Sequence, residues 1–233
     1  MLIVRKMGEL IEDSALRNRV YVFEDRFHAG ERLAQMIKQY VTKDAYILAI
    51  PAGGVPVGYV LSDRLKLPLD VIVVRKIHIP WNQEAGFGAI SWDGIILFNE
   101  PLLQSLDLTE EEIIRQIALE KEAINRRIKL FRGNAPFPDL TNRTVIITDD
   151  GLASGYTMLA AVKSIKKRGP KEIIVAVPTG SRSAIELLIS HVDKLVCLNI
   201  RAGFSFAVAD AYKSWYDLEE EDVTEILKKI HKG

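Results

Sequence analysis

Residues 144–157 read Thr144-Val145-Ile146-Ile147-Thr148-Asp149-Asp150-Gly151-Leu152-Ala153-Ser154-Gly155-Tyr156-Thr157. The first five are apolar or β-branched, as in a strand buried on both faces. Two adjacent carboxylates follow, then a short loop with two glycines. A helical pattern then runs to Arg168 and stops at Gly169-Pro170. Free backbone N–H groups at a helix start suit a phosphate. Gly155 lets the backbone approach a ligand closely, and Ser154 and Thr157 add hydroxyl donors. Asp149 and Asp150 can accept from a ribose diol or stand near Mg²⁺. One loop therefore offers a grip on both ends of a sugar phosphate. The competing reading is a plain helix start, with the acids or Ser154 as caps.

The same alternation extends outward in both directions. Short apolar runs at 45–50, 69–74, 173–177 and 195–199 read as further buried strands. Helical patterns over 27–41, 55–65, 181–189 and 219–231 separate or follow them. Thr109 and Glu112 form a capping box at the head of a long helix, with Ile113, Ile117, Ile124, Ile128 and Phe131 on one stripe. Asp93-Gly94 reads as the turn of an antiparallel hairpin between 88–91 and 95–98. Strands separated by helices predict a three-layer α/β fold with a mainly parallel five-stranded sheet. In such sheets ligands bind beyond the carboxyl ends of the strands. The loops at Pro51, Arg75, Asp149 and Pro178 should therefore share one edge.

Bulk properties remove several function classes. The chain has 233 residues and equal numbers of acidic and basic side chains, 31 each. A general nucleic-acid binder would carry a basic excess. No apolar run approaches the roughly 20 residues of a membrane helix, and the first 20 residues lack the apolar core of a secretory signal. The expectation is a cytoplasmic protein without membrane or nucleic-acid partners. The single cysteine, Cys197, lies in an apolar run and reads as a packing residue. The four histidines, His28, His78, His191 and His231, have no metal-ligand spacing, and no G-x-S-x-G elbow occurs.

The segment 145–157 resembles the phosphoribosyl pyrophosphate (PRPP) motif of type I phosphoribosyltransferases: four apolar residues, two acids, a short small or apolar stretch, then Ser-Gly-x-Thr. Gly151 stands where that motif usually has a β-branched residue, and Tyr156 where it usually has glycine. The resemblance implies that Asp149 and Asp150 hold the ribose hydroxyls and a Mg²⁺ ion, and that Ala153, Ser154, Gly155, Tyr156 and Thr157 wrap the 5′-phosphate. Pro51-Ala52-Gly53-Gly54 follows the first strand, where the family has its pyrophosphate loop. That loop is represented here by Ala52, Gly53 and Gly54. Arg75 and Lys76 end the second predicted strand, where the family's basic residues meet pyrophosphate. Taken alone, these segments read as a strand-to-helix turn and a solvated surface pair. With Pro80, Glu84, Gly88 and Ala89, they are similar to a less characterised branch of predicted phosphoribosyltransferases.

That resemblance covers the chain from about residue 21 onward. It implies one domain over 1–233, with 1–20 as an N-terminal arm and 75–98 as a mobile loop and flap hairpin. Residues 200–233 would form a small hood and a C-terminal helix. Arg75, Lys76 and Glu84 are the expected catalytic side chains, Glu84 as a loop anchor or proton acceptor. Phe204 and Phe206 are the expected base-stacking residues, with Tyr212 and Trp215 nearby. The implied partners are PRPP and a nucleobase-like acceptor, and the family's habit of pairing implies a homodimer. The implied activity is transfer of the phosphoribosyl group to a base with release of pyrophosphate. A non-catalytic PRPP or nucleotide sensor is the alternative. A phospho-accepting receiver or phosphatase fits less well, because Pro178-Thr179 lacks the supporting lysine.

Overall fold

All five residues of the run Thr144–Thr148 are buried, as a strand covered on both faces requires. The structure is a computed structural model that describes residues 7–203 and 205–230, with the side chains of Gln83 and Glu84 outside the description. In chain order its strands are β1 (Glu9–Glu12), β2 (Tyr46–Ala49), β3 (Leu69–Val71), β4 (Val74–Ile79), β5 (Asn82–Ser91), β6 (Ile96–Phe98), β7 (Thr144–Thr148), β8 (Glu172–Ser181) and β9 (Lys194–Arg201). The helices are α1 (Arg26–Ile37), α2 (Gly54–Leu65), α3 (Glu100–Ser105), α4 (Glu110–Arg132), α5 (Tyr156–Lys166), α6 (Arg182–Ile189) and α7 (Glu220–Ile230).

Six strands form one parallel sheet in the order β1-β9-β8-β7-β2-β3. Neighbouring residues of its strands serve opposite faces. Ile47, Ala49, Ile146 and Val196 face one core with Leu33 and Leu61 of α1 and α2. Leu48, Val145, Ile147 and Leu195 face the other with Leu159 and Leu188 of α5 and α6. Each such side chain fully buried contributes about 1.5–3 kcal/mol of transfer free energy. The sequence predicts this layered architecture and five of its strands. The sixth, β1, adds to the open edge of β9, pairing Glu9 with Lys194 and Glu12 with Cys197. Its sequence, Glu-Leu-Ile-Glu, is half charged because an edge strand is only partly covered.

A smaller antiparallel sheet has the order β4-β5-β6. The hairpin predicted over 88–98 is present, with Gly88 opposite Phe98 and Ile90 opposite Ile96. It continues further back than its apolar pattern shows, because β5 also pairs with β4 through register irregularities at Ile77, His78 and Ile79. The predicted strand over 69–74 is therefore two strands. β3 stays in the large sheet, and Val74 opens β4 in the small one. Thr109 and Glu112 form the expected capping box at the start of α4. Among the described residues, no helix is long and apolar enough to cross a membrane.

Candidate functional site

The chain leaves β2 for β3 on one side, and later returns to place β7 on the other side of β2. This reversal makes a crevice at the carboxyl ends of β2 and β7, where open parallel sheets bind ligands. The 50–54 turn and the 149–157 loop meet there. Ile50 N donates to Thr148 O at 2.9 Å. The loop is also fastened to β8, which runs to Ser181 and not only to the predicted 177. Leu152 N donates to Thr179 O at 3.0 Å, Ser181 N to Leu152 O at 2.9 Å, and Ser181 Oγ to Ala153 O at 2.6 Å. Helix α5 opens after Gly155, whose φ is 82°, and no side chain caps it. The first-turn N–H groups are thus left for a ligand, and neither Ser154 nor the acids act as the cap considered above.

A cleft of about 490 Å³ opens over this loop. Lys76, Asp149, Asp150, Ala153, Ser154, Gly155 and Thr157 line it. The Tyr156 side chain is not part of this lining and packs on the core instead.

The two acids differ in their partners. Asp149 Oδ1 accepts the Asp150 backbone N–H at 2.9 Å. Asp150 Oδ2 accepts from Arg26 Nε at 2.8 Å, with both side chains nearly buried. Burial, then the neighbouring Asp150 carboxylate, holds the Asp149 carboxyl well above the usual range. Burial also raises Asp150, and Arg26 opposes that rise. The 51–54 turn presses against the pair. A Cβ on Gly53 would lie 1.9 Å from Asp150 Oδ2, so only glycine fits there. The Pro51-Ala52 peptide is cis, and Ala52 packs on the core.

An adjoining cleft of about 250 Å³ lies beside Pro51 and shares Lys76, Asp149 and Thr157 with the first. Arg75, His78 and Arg127 line it as well. Arg75 and His78 share the buried carboxylate of Glu120 on α4. Arg75 Nε donates to Oε2, and His78 Nδ1 lies 2.7 Å from Oε1. Arg127 donates to Glu220 at 2.9 Å. Lys76 reaches both clefts. The Glu84 side chain lies outside the described residues, although its backbone is part of β5.

A further part of the larger cleft's lining comes from residues 206–217. Phe206, Ala207, Val208, Ala209, Trp215 and Asp217 line it. Phe206, expected to stack on a base, lines this cleft, with Arg201 4.8 Å from its ring centre. Phe204 lies outside the described residues. Trp215 reaches the cleft, but Arg26 lies 3.8 Å from its ring centre. Tyr212 is buried beside Phe23 and Trp215, and its hydroxyl donates to Asp150 O at 2.6 Å. It is a strut under the acid loop. Gly151 also has a packing reason, since an added Cβ would meet Val208 Cγ1 at 2.6 Å and Thr179 Cγ2 at 2.9 Å.

Arg26, Glu120 and Arg127 carried no signal in the sequence reading. Each sits on a helix where a charged residue ordinarily marks a solvated face. Among the described residues, no group of three or more His, Cys, Asp or Glu side chains is arranged to hold a metal. Asp149 and Asp150 still fit a Mg²⁺ ion that takes its remaining ligands from water and substrate oxygens, the usual habit of that ion.

Residues 24–211 match the phosphoribosyl transferase domain family. Two Mycobacterium tuberculosis proteins, from strains CDC 1551 / Oshkosh and ATCC 25618 / H37Rv, are each named "Putative phosphoribosyl transferase". Each is 34% identical over 213 residues, which is 91% of this chain and 47% of theirs. The chain thus spans about half the length of these curated relatives. The crystal structure of TT1426 from Thermus thermophilus is similar at 31% identity and a TM-score of 0.71, over 89% of this chain and 98% of that one. The AQ2163 protein from Aquifex aeolicus shares the fold at 10% identity and a TM-score of 0.50, over 80% and 78% of the two chains. From the match over 24–211, with the acid pair and the uncapped 153–157 loop inside it, the chain belongs to the phosphoribosyl transferase domain family.

Proposed function

We propose that the protein transfers the 5-phosphoribosyl group of PRPP to a nitrogenous base and releases pyrophosphate. One observation carries this reading. The acid pair and the uncapped 153–157 loop share a cleft that opens, through Lys76, onto a second cleft lined by Arg75, His78 and Arg127. Such a site would hold a ribose between two anionic ends. Ala153, Ser154, Gly155, Tyr156 and Thr157 would take the 5′-phosphate, largely through backbone N–H groups. Asp149 and Asp150 would accept from the ribose hydroxyls. Ala52, Gly53 and Gly54 would face pyrophosphate, with Arg75, Lys76 and Arg127 as cations around it. Phe206, with Phe204, would cover the base.

In the reaction the anomeric C–O bond breaks and its electron pair leaves on pyrophosphate. A lone pair of the acceptor nitrogen forms the new C–N bond, and that nitrogen loses its proton. The transition state resembles an oxocarbenium ion, as in glycoside hydrolysis. No enzyme nucleophile is needed, so the protein's contribution is positioning and charge stabilisation. Bound Mg²⁺, held by Asp149, Asp150 and substrate oxygens, would offset the charge on pyrophosphate. The β4–β5 hairpin, as a closing flap, would exclude water, and Glu84 would anchor it or accept the proton.

A non-catalytic PRPP or nucleotide sensor is the second reading, favoured by the engagement of Arg75 with Glu120. Calorimetric titration with PRPP, with and without Mg²⁺, tests the binding site. Pyrophosphate release over a panel of bases then separates the two readings. Saturable binding with turnover is the transferase outcome, and binding with no turnover of any base is the sensor outcome. A folded protein that does not bind PRPP would refute the transferase reading, and one that binds neither PRPP nor a nucleotide would refute both.

A further inference from the structure

Arg26 stands behind the site and does not line either cleft. It opens α1, where Asp25 caps the helix by accepting from His28 N at 2.8 Å. Its side chain is 7% exposed and makes three contacts with different parts of the site. Nε donates to Asp150 Oδ2 at 2.8 Å, Nη1 donates to Tyr216 O at 2.9 Å, and the guanidinium lies 3.8 Å from the Trp215 ring centre. The segment it touches is fastened to the residues just before α1. Lys213 N donates to Phe23 O and Ser214 N to Glu24 O, each at 2.8 Å. Asp150 and Trp215 both line the same cleft. One buried guanidinium therefore holds a ribose-facing carboxylate and the cover of the acceptor end together.

We propose that Arg26 is a positioning residue that couples the two substrate halves, so that a sugar phosphate engaging Asp150 sets the Trp215–Tyr216 cover for the acceptor. The inference rests on the transferase reading. Nothing in it requires Arg26 to touch substrate. Its chemistry needs arginine, since a planar fork can donate in two directions while its face stacks on an indole. A lysine would keep the charge and lose the fork and the stack.

The chain has three tryptophans. Trp81→Phe and Trp92→Phe leave Trp215 as the only indole emitter, and phenylalanine keeps an aromatic ring against Phe137 at position 92. This protein, with and without Arg26→Lys, is titrated with PRPP and Mg²⁺ while its emission is followed. With Arg26 present, PRPP should give a saturable change in Trp215 emission. With Arg26→Lys, the Kd should rise roughly tenfold, in line with loss of a charged hydrogen bond, and the emission change should disappear. A raised Kd with the emission change retained would make Arg26 a mere anchor and overturn the coupling. An unchanged Kd would also overturn it. Hydrogen exchange on the unaltered chain needs no substitution: amides of 212–216 should exchange more slowly with PRPP bound, and no change there overturns the inference. Failure of the unaltered chain to bind PRPP would instead refute the transferase reading itself.

Discussion

Glu120 of α4 accepts the Nε proton of Arg75 from β4 and so fixes a guanidinium that lines the smaller cleft. The other oxygen of the same carboxylate meets His78. Burial alone would raise this carboxyl, but His78 and Arg75 together hold it below its ordinary value. The carboxylate's stabilising share is therefore present above the ordinary value of 4.5 and is lost as the pH falls through the lower folded value. Glu120→Gln should cost about 2 kcal/mol at pH 7, and the difference from the unaltered protein should shrink below pH 4.5. Urea melts at several pH values read this directly. A cost that is constant with pH would mean that the carboxylate's charge contributes nothing.

The two site acids should respond differently to the same isosteric change. Asp149 pairs with a backbone N–H, whereas Asp150 neutralises a nearly buried arginine. Asp149→Asn should abolish measurable PRPP binding with little change in Tm. Asp150→Asn should also lose binding, and should cost about 3–5 kcal/mol because it leaves Arg26 uncompensated. Paired calorimetry and thermal melts separate these effects. Equal destabilisation by both substitutions would refute the assignment.

Lys76 lines both clefts, and the transferase reading puts it where the leaving group would separate from the ribose. Lys76→Ala should reduce kcat by about a hundredfold, within the range for loss of one transition-state donor. PRPP affinity should change much less. Normal pyrophosphate release in that variant would demote Lys76 to a surface charge.

Gly151→Val should destabilise the protein by about 1–3 kcal/mol through overpacking. The new side chain would meet Val208 and Thr179. Adding Val208→Ala should recover part of that loss, and a double-mutant cycle on Tm gives the coupling. An additive cycle would mean that the two positions are not in steric conflict.

The parts legible in the sequence were those whose signal is local. The apolar run Thr144–Thr148 and the capping box of Thr109 and Glu112 depend on near neighbours, and both elements occur where they were read. β1 was hidden because four residues with acids at both ends become a strand only by pairing with β9. The first part of β5 was hidden because Asn82, Gly86 and Gly88 look like loop residues until β4 pairs with them. At the site, acids and glycines on loops could be read from their position after strands. Arg26 and Glu120 could not, since their meaning comes from partners 124 and 45 residues away. The departure of Gly151 from the family motif likewise has a cause distant in sequence, at Val208.

That last contact bears on exchange of parts. Residues 206–209 line the cleft where the transferase reading places the acceptor, and Val208 leans directly on the turn that follows the acid pair. A cover transplanted from a relative with a different acceptor would arrive with its own shape at position 208. The residue at 151 would then have to change in the same step. On the transferase reading, acceptor choice and the sugar-phosphate loop would therefore not be interchangeable modules, and any redesign of one would be written jointly with the other.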